Sequence, residues 1–172
     1  MTTDLKQIQE FIQTLINAIA AILNVGITVV DKDLVRICAT KPYSAYLGHK
    51  ITHAAFYQSI IQTGKPGLIK NPQNAPLCRS CSYRDECREL ADIAYPIFLG
   101  GEVSGIISII AFTEQEKKNL LNNNHKFEDF LHYMSMLIES KLNTVEHSQE
   151  LDSQLDEVIS QGRRELHKTG FI

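Results

Sequence analysis

Two apolar, β-rich stretches separated by Gly100-Gly101, between Ala91 and Phe112, constrain the fold more than any other part of the chain. A glycine pair between such stretches predicts a two-residue hairpin turn. The second stretch, Glu102 to Phe112, has apolar side chains at consecutive rather than alternate positions. That pattern predicts a strand covered on both faces and therefore central in its sheet. A second hairpin is expected upstream. Gly26-Ile27-Thr28-Val29-Val30-Asp31 is rich in β-branched residues, Asp31-Lys32-Asp33 supplies a polar turn, and Leu34 to Thr40 returns as a strand that Pro42 closes.

Helices are expected around these strands. Leu5, Ile8, Ile12, Leu15, Ile16, Ile19, Ile22 and Leu23 recur mostly at steps of three and four, the period of an amphipathic helix, which Asn24 and Gly26 end. Thr52 to Thr63 is helical in pattern and stops at Gly64, Pro66 and Gly67. Thr113, followed by Glu114 and Glu116, is a helix start. A last helix should follow Asn124. Phe127, Phe130, Met134, Leu137, Thr144, Leu151, Leu155 and Val158 form a narrow stripe along it, predicting a coiled-coil seam that pairs the chain with a second copy; as far as Leu142 the helix can equally pack on its own domain. The order is α+β, with an antiparallel sheet of about five strands covered by helices. It divides into an N-terminal helix over 1–24, a core over 25–124 with a cysteine loop at 71–88, and a C-terminal helix over 125–172. The end at Thr169-Gly170-Phe171-Ile172 suggests a piece of a longer protein.

Charge narrows the possible partners. With 17 basic and 20 acidic residues the net charge is -3, so no domain-wide basic field is present to hold a nucleic-acid backbone. Neither a signal peptide nor a membrane span is evident, so a cytoplasmic location is expected. The chain lacks G-x-S-x-G, G-x-G-x-x-G and Walker-type loops and any defensible acid–base pair, so an enzyme is not expected.

The four cysteines hold the chemical interest. Cys78, Cys81 and Cys87 lie together in a proline-containing stretch with little periodicity, from Pro66 to Arg88, and Cys38 lies in the second strand. A C-x2-C pair presents two thiolates from one tight turn, and a third can return from the next. If Cys38 folds over the loop, Cys38, Cys78, Cys81 and Cys87 form a four-thiolate metal or cofactor site. The spacing leans to an iron–sulfur cluster, with zinc or no metal as alternatives. Cys38 is as readily a small buried hydrophobe. Arg79, Arg84 and Arg88 interleave with the thiols, either lowering their pKa or simply meeting solvent. His53 is a reserve ligand; no histidine pair has ligand spacing.

The run Pro96-Ile97-Phe98-Leu99-Gly100-Gly101-Glu102-Val103-Ser104-Gly105-Ile106-Ile107 resembles the terminal hairpin of GAF and PAS domains, and Gly26 to Asp31 is similar to their first strand. Together with Asn71-Pro72, the cysteine loop and Ala111-Phe112-Thr113-Glu114, residues 5 to 145 resemble the N-terminal sensor region of bacterial sigma-54-dependent transcriptional activators. The resemblance implies a sensor of a redox or small-molecule signal that acts through its C-terminal helix on ATPase and DNA-binding domains. Two readings follow: a regulator with a cysteine-ligated iron–sulfur or metal centre, or a small-molecule-binding module whose cysteines are a zinc clip or free thiols.

Overall fold

The computed structural model describes residues 4–168, so the terminal Thr169–Ile172 lies outside the described residues. Five antiparallel strands form one sheet: β1 (Gly26–Asp31), β2 (Arg36–Ala39), β3 (Gly67–Ile69), β4 (Ala91–Leu99) and β5 (Glu102–Ala111), in the order β2-β1-β5-β4-β3. β5 is central, as its largely apolar sequence predicts, and Ile106, Ile107, Ile109 and Ile110 are all buried. Gly100 and Gly101 turn the β4–β5 hairpin with φ of 60° and 85°, values that favour glycine. The strand not placed by periodicity is β3, a three-residue edge strand at the start of the irregular stretch.

Helices α1 (Gln9–Leu23), α2 (Ala55–Thr63), α3 (Glu114–Asn122) and α4 (Asn124–Lys168) surround the sheet. α1 follows a single 3-10 turn at Leu5–Ile8, capped by Asp4. Thr113 caps α3 with a reciprocal capping box to Glu116. On one face of the sheet, Ile12 and Ile16 of α1 and Leu131, Ile138 and Leu142 of α4 pack with Val29, Ile93, Ile107 and Ile109. On the other, Phe56, Tyr57 and Ile60 of α2 pack with Val30, Ala94 and Ile106.

The expected seam along α4 is corrected in its first half. The buried stripe is Phe127, Leu131, Ser135, Ile138 and Leu142, rotated by about one residue, and Leu137 and Thr144 are exposed. The rotation follows from the partner: this half lies on the broad surface of β4 and β5, so its buried stripe is set by the sheet. Beyond Val145 the apolar residues Leu151, Leu155 and Val158 are exposed on the single chain. Among the described residues no helix is long and apolar enough to cross a membrane.

Candidate functional site

Between the α2 face of the sheet and the cysteine loop lies a cavity of about 410 Å³, a size ordinary for small-molecule sites. Its floor is Arg36 of β2 and Asp92 of β4, its sides come from Tyr43, Phe56, Tyr57 and Glu89, and its cover includes Leu77, Cys78, Cys81, Tyr83 and Cys87. The loop has little regular structure, only three single 3-10 turns at Pro72–Asn74, Pro76–Cys78 and Arg84–Glu86. Polar contacts anchor it. Lys117 of α3 donates to Asn71 Oδ1, Gln73 donates to the Cys87 carbonyl, and Ser82 Oγ pairs with His53 Nε2 at 2.9 Å.

A bulge decides which β2 side chains reach this site. Val29 is opposite Cys38 and Val30 is opposite Arg36, so Ile37 is the extra residue. Without it, Arg36 and Cys38, two positions apart, would share a face. With it, Arg36 joins the cavity, while Cys38 packs with Ile12, Val29 and Ile107 on the helix face. Cys38 is fully buried, and its thiol donates to the Gln9 carbonyl at 3.4 Å. Burial pushes this thiol up to about 12.

The placement bears on the four-thiolate expectation. Cys78, Cys81 and Cys87 meet at the cavity, and His53 stands at its rim, but Cys38 lies across the sheet. Among the described residues no group of three or more His, Cys, Asp or Glu side chains is arranged to hold a metal ion. The four-thiolate set therefore does not come together as placed, because Cys38 stands on the opposite face of the sheet from the three loop thiols. Burial and the neighbouring thiols raise the pKa of Cys78, and burial raises that of Cys87. Neither shift is in the direction that activates a thiol. Arg84 pairs instead with the exposed Asp85 at 3.2 Å.

Sequence reading missed the polar floor. Asp92 is 2% exposed and accepts hydrogen bonds from Ser108 on one oxygen and from Tyr57, at 2.9 Å, on the other. Burial, with Glu89 nearby, holds its carboxyl well above the usual range. Burial also raises Glu89, against the lowering effect of the Tyr43 hydroxyl and Arg36. Tyr57 and Tyr43 are pushed up chiefly by burial and then by these acids, so both phenols remain hydrogen-bond donors. Arg36 is 7% exposed, donates to Thr28 Oγ1, and lies over the Tyr43 ring with Cζ 4.1 Å from its centroid. The signal available in the sequence was a charged residue inside each of two otherwise apolar strands, Arg36 and Asp92.

No family model matches the chain. Over 139 residues it is 29% identical to UacR of Escherichia coli strain K12, a sigma-54-dependent transcriptional regulator whose name provisionally links it to uric acid. The match covers 80% of this chain and 24% of UacR, so the chain spans about a quarter of that relative's length. Among solved structures, the nlh2 GAF domain of A. aeolicus in an inactive state gives a TM-score of 0.57 at 18% identity, covering 80% of this chain and 92% of that one. The GAF domain of a phosphoenolpyruvate-protein phosphotransferase from Coxiella burnetii gives 0.55 at 13% identity, covering 88% of each chain. A free methionine-R-sulfoxide reductase from Thermoplasma acidophilum gives 0.51 at 15%, covering 82% of this chain and 96% of that one, so enzymes also use this fold. With these neighbours and the regulator match, the chain has a GAF-type fold and is similar to part of a sigma-54-dependent transcriptional regulator.

Proposed function

We propose that this domain is the non-enzymatic sensory part of a cytoplasmic transcriptional regulator, binding a small effector between the sheet and the cysteine loop and passing the bound state to α4. The observation that carries this reading is that one strand serves both ends of the route. β4 presents Asp92 to the cavity. Three and four residues on, the Tyr95 hydroxyl bonds His132 Nδ1 of α4 at 2.8 Å, and the Pro96 carbonyl accepts from the buried Ser135 of α4 at 2.7 Å. A ligand that moves Asp92 therefore acts on a strand already hydrogen-bonded to the output helix.

The concave site with its buried polar cluster favours a small molecule over a macromolecule, and the name of the regulator relative supports uric acid as a first effector to try. Output follows from the far half of α4. Leu151, Leu155 and Val158 offer a narrow apolar stripe with no cover on the single chain, suited to the same helix of a second copy. The greater length of the relative supports further domains, an ATPase and a DNA-binding unit, as the receivers of the signal.

Thermal denaturation with and without uric acid and related metabolites tests the pocket. A ligand at 100 times its Kd stabilises the folded chain by about 2.7 kcal/mol. Ser80 is exposed and lines the cavity, so Ser80→Trp fills it from the loop without removing a core contact. The variant is expected to keep its own melting temperature and lose the ligand-induced rise. An undiminished rise in Ser80→Trp counts against this site.

A further inference from the structure

The cysteine loop has a period of its own, which its apolar residues do not show. From Ala75 to Arg88 every third residue is half-buried, namely Ala75, Cys78, Cys81, Arg84 and Cys87, and all the others are exposed. The backbone takes the same step. From Cys78 to Cys87 the amide of each of these residues donates to the carbonyl of the one before it, at 3.0, 3.1, 3.2 and 3.2 Å. Side chains three apart on such turns lie on one side, and Cys78, Cys81, Arg84 and Cys87 all line the cavity.

This spacing sorts the thiols by reach. A hydrogen bond across one turn holds the Cα atoms of its first and last residues within about 7 Å, and a disulfide needs about 4.4–6.8 Å. Cys78 and Cys81 are joined by one such turn, and both side chains line the same cavity. The two residues between them, Arg79 and Ser80, are exposed, so closing the ring disturbs no packed side chain in the turn. Cys87 is two turns further on, and its carbonyl is held by Gln73 at 3.4 Å. Cys38, buried on the far face of the sheet, is out of reach of all three.

We infer that Cys78 and Cys81 form a reversible disulfide in the folded domain by exchange with a low-molecular-weight disulfide of the glutathione class. The thiolate of one cysteine attacks a sulfur of the small disulfide, which forms a mixed disulfide and releases one small thiol. The other cysteine then attacks the protein sulfur of that mixed disulfide, forming the Cys78–Cys81 bond and releasing the second small thiol. The protein thiols lose two electrons and two protons, and the small disulfide takes up both. Burial holds the Cys78 thiol above its ordinary pKa, so exchange is slow at neutral pH and the bridge follows sustained changes in thiol–disulfide balance. It needs no effector in the cavity and is a second input, set in the cavity's cover.

Tryptic cleavage at Arg79, Arg84 and Arg88 puts Cys78, Cys81 and Cys87 on separate peptides, 71–79, 80–84 and 85–88. The chain is equilibrated without oxygen in mixtures of reduced and oxidised glutathione, quenched with acid, labelled with N-ethylmaleimide in urea, and mapped by mass spectrometry. Cys78 and Cys81 are expected to lose label together, with peptides 71–79 and 80–84 linked, while Cys87 and Cys38 keep theirs. The loss should follow the square of the glutathione concentration over that of its disulfide, the signature of an internal bridge. Cys87→Ser should keep the bridge. Cys78→Ser should abolish it and leave Cys81 as a mixed disulfide, with a first-power dependence. A bridge that includes Cys87, mixed disulfides alone in the wild type, or loop thiols that stay reduced in oxidised glutathione, whether inert or held by a metal, would each overturn the assignment.

Discussion

Tyr57, on α2, donates a 2.9 Å hydrogen bond to Asp92, on β4, and so ties the wall of the cavity to its floor. Both residues are buried. Tyr57→Phe removes the donor and leaves a buried carboxyl oxygen unanswered, a loss of about 1–3 kcal/mol. Urea denaturation should show the loss with an unchanged m-value. An unchanged midpoint would mean that the contact adds nothing to stability.

The raised pKa values of Asp92 and Glu89 set the sign of a pH dependence. Below about pH 4 the folded and unfolded chains both hold these protons. As pH rises, the unfolded chain releases them first, so the native state binds more protons and its stability falls until the raised native pKa is passed. Stability contributed by the protonated groups is thus present in acid and lost toward alkaline pH. Asp92→Asn should flatten the decline in unfolding free energy that sets in as pH rises above about 4, the unfolded carboxylate value. Identical slopes in variant and wild type would contradict the assignment.

Cys38 and the loop thiols should part company chemically. With its thiol buried and pushed up to about 12, Cys38 is expected to resist iodoacetamide at pH 8 until the chain unfolds. Cys81, half-buried at the cavity, should alkylate in the native state. Mass spectrometry of labelled peptides reads both. Labelling of native Cys38 would show that β2 does not hold the bulged register.

Because Cys38 lies across the sheet from Cys78, Cys81 and Cys87, Cys38→Ser should leave the iron and zinc content of protein purified without oxygen unchanged. Stoichiometric metal that disappears in Cys38→Ser would restore the four-thiolate reading and require β2 to rearrange.

The two halves of α4 should respond differently to substitution. Leu142 is fully buried in the core on the α1 and α4 face of the sheet, and Leu142→Ala should cost about 2–5 kcal/mol of unfolding free energy. Leu155 is 58% exposed, so Leu155→Asp should leave the fold intact and turn a dimer into a monomer in sedimentation equilibrium. A monomeric wild type, or a dimer indifferent to Leu155, would remove the second copy from the account.

Much of the architecture was legible because single strong signals carried it. The largely apolar run Ile106–Phe112 marked the central strand, Gly100-Gly101 its hairpin, and Thr113 with Glu116 the start of α3. β3 was not legible, because three residues on a sheet edge carry no period. The stripe of α4 was misplaced by about one residue because a seven-residue repeat suits a helical partner, whereas the actual partner as far as Leu142 is a sheet. At the site, the cysteine loop stood out in sequence and does cover the cavity. Cys38 could not be assigned, since a single inserted residue, Ile37, exchanges the faces of β2. The same bulge hid the face that Arg36 takes, whereas Asp92, a lone charge in an apolar strand, was legible as an anomaly but not its partners Tyr57 and Ser108, which come from other elements.

Amide hydrogen exchange with and without bound uric acid, read by mass spectrometry, tests the joining of cavity and output helix most directly. The account predicts slower exchange in loop residues 71–89 and, in the same experiment, a change in α4 around His132 and Ser135. Binding that leaves both segments unchanged would contradict it, placing the ligand outside the cavity and leaving β4 without a part in the signal.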